Sequence, residues 1–251
     1  MRTLTKKIVL TSMCCMSVHA TFANETEAKI DPSDITAVNT SGYLGLNNQG
    51  DLKLSTSISL TNGGSSSMSM GTLEASIDNQ GNYKDSRLQY FQVFSTTNSV
   101  APKVAASIDI IDNQNFTTGA LGAVSMVNPG VKNLMGFARV GLLGGKYDSD
   151  FTRMMGESDE GIVGGMAAIY LSYKTGEDGT YIMLNPEYTY LDGSIDTSIV
   201  KTSLILGTPI SSDGKNWAQF KIENSSGHMT SSSQKIDIND TVTWAFFKAY
   251  F

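Results

Sequence analysis

Apolar and polar residues alternate with period two along most of the chain beyond about residue 40. Leu52, Leu54, Thr56, Ile58 and Leu60 interleave with Lys53, Ser55, Ser57, Ser59 and Thr61, a pattern that describes a strand with one apolar and one polar face. The same alternation returns in Leu73, Ala75 and Ile77, in Val104, Ala106, Ile108 and Ile110, and in Ala138, Val140 and Leu142. It recurs in Val200, Thr202, Leu204 and Leu206 and again in Ala218, Phe220 and Ile222. Strands are predicted near 41–46, 52–60, 68–77, 86–95, 103–111, 118–127, 133–143, 162–173, 180–190, 195–206, 216–223 and 240–251, twelve in all, with ten as the alternative count. Pro186 falls inside one of them. Because proline cannot donate to a ladder, a bulge or a rim position is required there.

Turn residues support the same division. Asn48-Gln49-Gly50, Asn79-Gln80-Gly81 and Asn113-Gln114-Asn115 each lie between two strands, and in a regular meander they fall on one edge of the sheet. Pro102, Pro129 and Pro209 fall on the other, in connections where a missing N–H costs nothing. Two connections are predicted to be long, from Gly144 to Gly161 and from about Asn224 to Asn239, both on the Asn-Gln edge.

Composition narrows the class further. Residues 1–23 combine a cationic start (Arg2, Lys6, Lys7), an apolar run from Ile8 to Val18 and small residues ending in Thr21-Phe22-Ala23, which reads as a secretory signal peptide. A run of about eleven residues is too short to span a bilayer as a helix. Residues 24–38 (NETEAKIDPSDITAV) are acidic and aperiodic and read as a flexible tail. Residues 39–251 form the strand-rich unit. Both cysteines, Cys14 and Cys15, lie in the leader. Disulfide frameworks and Cys/His zinc sites are therefore not expected downstream of it. From residue 24 onward 15 basic residues face 24 acidic ones, a net charge of −9, and such a surface repels nucleic acid.

The chain ends in Thr243-Trp244-Ala245-Phe246-Phe247-Lys248-Ala249-Tyr250-Phe251, with Ala245, Phe247, Ala249 and Phe251 at alternate positions. Together with the leader, the missing cysteines and the repeated amphipathic strands, this resembles the Gram-negative outer-membrane β-barrel proteins. The resemblance implies an all-β, transmembrane antiparallel barrel whose last strand, through Phe247, Ala249 and Phe251, is read by the barrel-assembly machinery. It also implies outer-membrane lipid and lipopolysaccharide as surroundings. No narrower family is indicated: twelve-strand sugar-acid channels are expected to line their pore with arginine, and beyond the leader this chain has only Arg87, Arg139 and Arg153.

With Phe251, Phe247, Phe220, Ile182, Leu184, Tyr173, Tyr188 and Tyr190 toward lipid, the opposite positions line the lumen. These are Lys53, Glu74, Asp109, Arg139, Asn185, Glu187, Lys201, Lys221, Glu223 and Lys248. Cations and anions nearly balance. One reading is a narrow hydrated pore, since twelve strands enclose more space than eight, which makes the chain a small porin-like channel for passive diffusion of small hydrophilic solutes. The alternative is a non-conducting structural or adhesive barrel that acts through its long outer loops. No catalytic residues, cofactor or metal are assigned. A Ser/His hydrolase would need a serine and an orienting acid beside His228, and no spacing singles one out. Asp148, Asp150, Glu157, Asp159 and Glu160 lack the spacing of a calcium loop and read as a solvated outer loop.

Overall fold

The computed structural model describes residues 30–60 and 67–251. The leader, residues 24–29 and the connection at 61–66 lie outside the described residues. The strands are β1 (Ser41–Asn47), β2 (Leu52–Ser59), β3 (Ser67–Ile77), β4 (Tyr83–Ser95), β5 (Lys103–Asn113) and β6 (Phe116–Val127). They continue as β7 (Leu134–Tyr147), β8 (Gly161–Lys174), β9 (Tyr181–Gly193), β10 (Asp196–Pro209), β11 (Asn216–Thr230) and β12 (Lys235–Tyr250). Each pairs antiparallel with its sequence neighbour, and β12 returns to pair with β1 from Ser41↔Tyr250 to Asn47↔Trp244, closing the barrel. Full closure removes every sheet edge, which is what a bilayer demands of strands. The seam is fastened past its last rung, where the Phe251 amide donates to the Thr40 carbonyl at 3.0 Å.

Period two decides which face goes where. Leu44, Leu46, Leu88, Ile108, Leu121, Val140, Leu142, Leu184, Leu204, Phe220 and Phe247 are all exposed, a continuous apolar outer surface of the kind that meets lipid. The Asn-Gln turns share one edge, here the far edge, and the proline-bearing connections share the terminal edge with both chain ends. In the far-edge turns Asn47, Asp78 and Asn113 each accept two amides from the residues that follow, and Gly50 and Gly81 take the positive φ (86° and 82°) that completes the reversal.

Three features depart from expectation. The segment 224–239 is not a long loop: β11 and β12 stay paired out to Thr230↔Lys235. Ile236, Ile238 and Met229 pack into an apolar cluster at the far end, and that burial holds in strand form a stretch rich in serine and glycine. At Pro186 the register is unshifted on both sides, Ala168↔Glu187 and Leu171↔Leu184, but the rungs between are missing. The Asn185 side-chain amide fills part of that gap by donating to the Ile169 carbonyl at 3.1 Å. Finally, residues 30–38 do not hang free. Ser33 and Thr36 are completely buried, and Ile30, Ile35 and Val38 pack against apolar residues of the wall.

Inside, apolar clusters sit at both ends. At the terminal end one contains Phe91, Val93, Ala105, Val124 and Phe137, another Tyr181, Met183, Trp217 and Tyr250, and both touch Ile35 and Tyr170. The far end is filled by Tyr147, Phe151, Met155, Ile162, Leu191, Ile195 and Met229.

Candidate functional site

Between these clusters the inner wall is polar. Along β7, Phe137 belongs to the terminal cluster and Leu143 and Tyr147 to the far one, with Arg139 between them. Along β11 the order is Trp217, then Lys221 and Glu223, then Met229. One alternation thus supplies apolar ends and a charged middle on both of these strands.

The charges form three groups. Asp109, with a fully buried carboxylate, accepts from Arg87 (Nε 2.7 Å, Nη2 2.5 Å) and Gln89 (2.8 Å) on one oxygen. On the other it accepts from Ser107 at 3.0 Å, with Arg139 Nη2 at 3.7 Å. In the second group Lys53 lies 3.2 Å from Glu74 and 3.7 Å from Asp85, with its ammonium 5.4 Å from the centre of the Trp244 ring, and the Tyr43 hydroxyl donates to Glu74. In the third, Lys221 bonds Glu223 at 2.8 Å, and the Ser203 hydroxyl donates to the same carboxylate at 3.2 Å. Glu187 and Lys201 are cross-strand partners in register. Lys248 stands apart near the terminal end, over the Tyr250 ring at 5.0 Å.

The structure therefore brings Lys53 and Glu74 together, Asp109 and Arg139 together, and Lys221 and Glu223 together. Sequence reasoning missed Arg87 and Asp85. The signal for Arg87 is the alternation of Arg87-Leu88-Gln89-Tyr90, whereas Asp85 lies before the expected strand 86–95 and within the observed β4. Also unforeseen were the inner aromatics Tyr43, Trp217, Trp244 and Phe246. They resemble lipid-facing residues by type, and only their register turns them inward. Tyr181 shows the fit required: a Cβ built at its partner Gly207 would lie 2.4 Å from the tyrosine ring, so the ring lies over a residue that has to be glycine.

The loop 148–160, expected to be merely solvated, carries a short helix, α1 (Ser149–Met154). Asp148 caps it by accepting the Asp150 amide at 2.9 Å, and Phe151, Thr152 and Met155 turn inward to close the far end. The carboxylates are spent on local structure. Glu157 accepts from the Ser232 hydroxyl (2.6 Å) and amide (2.9 Å) at the tip of the β11–β12 hairpin, and these bonds hold its carboxyl below the usual range. Ser231 and Ser233 donate to the Met155 carbonyl at 2.7 and 3.0 Å. The helix is thereby latched to a neighbouring hairpin.

His228 is exposed on β11, in register between Ser198 and Asp237. The Ser198 hydroxyl bonds to the Tyr188 hydroxyl at 3.2 Å. Phe247, Ala249 and Phe251 project from the outer face along the closing seam.

Comparison with solved structures bears on this geometry. The barrel aligns with NanC porin at a TM-score of 0.60 and 9% identity, covering 84% of this chain and 99% of that one. It aligns with KdgM porin at a TM-score of 0.51 and 10% identity, covering 85% and 99%. No protein-family profile matches the chain, and no curated protein does. The shared property is the fold, the closed barrel of Gram-negative outer-membrane proteins.

Proposed function

We propose that the chain is a small porin-like channel of the Gram-negative outer membrane that passes small hydrophilic solutes by passive diffusion. The observation that carries this reading is the charged belt on the inner wall of a barrel whose outer wall is apolar. A polar inner wall keeps the middle of the lumen hydrated, as a path for hydrophilic solutes requires. The likeness in fold to two porins supports it. On this reading the terminal edge faces the periplasm and the far edge the cell exterior. The outer face meets lipid and lipopolysaccharide, while Phe247, Ala249 and Phe251 present the terminal strand to the assembly machinery.

The belt is nearly neutral overall, with Arg87 and Asp85 adding one charge of each sign. The field inside is therefore weak, and ion preference should be slight. Refolded residues 24–251 are expected to give conductance steps in planar bilayers and swelling of liposomes in small sugars. Replacing Arg139, Lys201 and Lys221 with Glu should shift the reversal potential toward cations. A second reading, the structural or adhesive barrel, is favoured by the apolar closure of the far end by Phe151 and Met155. Absence of both conductance and swelling, in the barrel of residues 24–251 and in one shortened to begin at residue 39 alike, would establish that reading in place of the channel.

A further inference from the structure

We propose that residues 30–38 are a displaceable plug seated in the terminal mouth of the barrel, and that their departure opens this mouth. The inference rests on the channel reading above. Two successive Asx turns build the segment. In Asp31-Pro32-Ser33 one carboxylate oxygen of Asp31 accepts from the Ser33 amide (3.2 Å) and hydroxyl, and in Asp34-Ile35-Thr36 one oxygen of Asp34 accepts from the Thr36 amide (2.8 Å) and hydroxyl (2.5 Å). The second oxygen of each acid reaches the wall. Asp31 pairs with Lys174 at 2.5 Å on β8, and Asp34 with Lys103 at 2.7 Å on β5. Strands on different sides of the mouth are thus bridged through one short peptide, and Ile35 touches both terminal apolar clusters at once.

Three properties fit a plug that leaves. Among the described residues the segment is joined to the wall by side chains, whereas its neighbour Thr40 already belongs to the seam, accepting the Phe251 amide through its carbonyl and the Ser59 amide through its hydroxyl (3.2 Å). Both lysines are partly exposed, and in the Lys174 pair Asp31 is as well, so that pair is weak, whereas Asp34 of the Lys103 pair is buried. Beside the segment a cavity of about 380 Å³, lined in part by Ile30, Asp31, Lys174, Thr175 and Trp217, leaves one flank loosely packed. Close packing would have made the segment a fixed part of the core. The wall, in contrast, is tied by ladders on every strand and need not move when the segment does.

The test uses refolded residues 24–251, which contain no native cysteine. Removing 24–38 spares Asn39, Thr40 and the seam, and should raise conductance and sugar flux severalfold. In the full-length chain Lys103→Glu with Lys174→Glu, which sets carboxylates against Asp31 and Asp34 and leaves both Asx turns intact, should do the same, and Lys103→Arg with Lys174→Arg should keep the low conductance. A Ser33→Cys reporter should react with a bulky maleimide at least tenfold more slowly in the intact chain than with the two lysines reversed. Equal conductance in the intact and shortened barrels overturns the plug and leaves the channel standing, and so does rapid labelling of the reporter in the intact chain. Conductance in neither barrel overturns the channel reading and the plug with it.

Discussion

Asp109 shows how a single residue can hold the interior to one arrangement. Its carboxylate receives Arg87, Gln89 and Ser107, with Arg139 at 3.7 Å. Removing one member of such a group leaves a buried charge poorly compensated, which is more harmful than losing the net worth of the pair. Arg87→Ala should lower stability by about 3 kcal/mol. Combined with Asp109→Ala it should cost clearly less than the two single changes added together, since the second removes what the first stranded. Urea midpoints of the refolded barrel measure this. Strict additivity would mean that the three charges do not act as a unit.

At the scale of elements, the far end is closed by an interaction between two hairpins. Helix α1 is too short to be stable alone. Its stability comes from the buried Phe151 and Met155 and from the bonds that Glu157 and Met155 make to residues 231–233. The Glu157 carboxyl is held low by its bonds from the Ser232 hydroxyl and amide. A depressed folded value contributes stability above the ordinary glutamate range and loses it as pH falls through the folded value. Acidification below that range should therefore speed proteolysis and hydrogen exchange between Ser149 and Gly161. Glu157→Gln keeps an acceptor but does not titrate, and should flatten most of this dependence. An unchanged pH profile in Glu157→Gln would show that the latch is not what holds the helix.

For the whole molecule, stability in the membrane follows from the outer face. Leu204 and Phe220 are exposed on adjacent strands, two register steps apart. An arginine at either should destabilise the refolded barrel by roughly 2–4 kcal/mol. Lys201→Arg, on the inner face, should leave the midpoint nearly unchanged. In cells, deletion of Phe251 should reduce the heat-modifiable barrel recovered from the outer membrane. Equal penalties on both faces, or full recovery without Phe251, would contradict the lipid assignment or the role of the terminal strand, respectively.

What the sequence determined by itself was whatever a local period can encode. The two faces of Leu52–Leu60 or Val200–Leu206 are legible because side chains alternate strictly along a strand, so the strands and their polar faces, with Lys53, Glu74, Asp109, Arg139 and Glu223 opposite the apolar ones, follow from the period, while the barrel was implied by the resemblance that the terminal strand carries. The two turn chemistries gave the edges for the same reason, as reversals are built from neighbouring residues. Tertiary structure decided the rest. Aperiodic residues 30–38 were read as a free tail because nothing local marks their partners: Lys103 and Lys174 are distant in sequence and become neighbours only when the barrel closes. The strand character of 224–239 came from burial of Ile236 and Ile238 under a helix contributed by another hairpin. Likewise, Trp217, Trp244 and Tyr181 carry the chemistry of a lipid-facing girdle. Cross-strand register, with a glycine opposite Tyr181, is what turns the tyrosine ring inward. Long-range contacts of this kind leave no period in the chain, since they depend on which strands meet and at what offset.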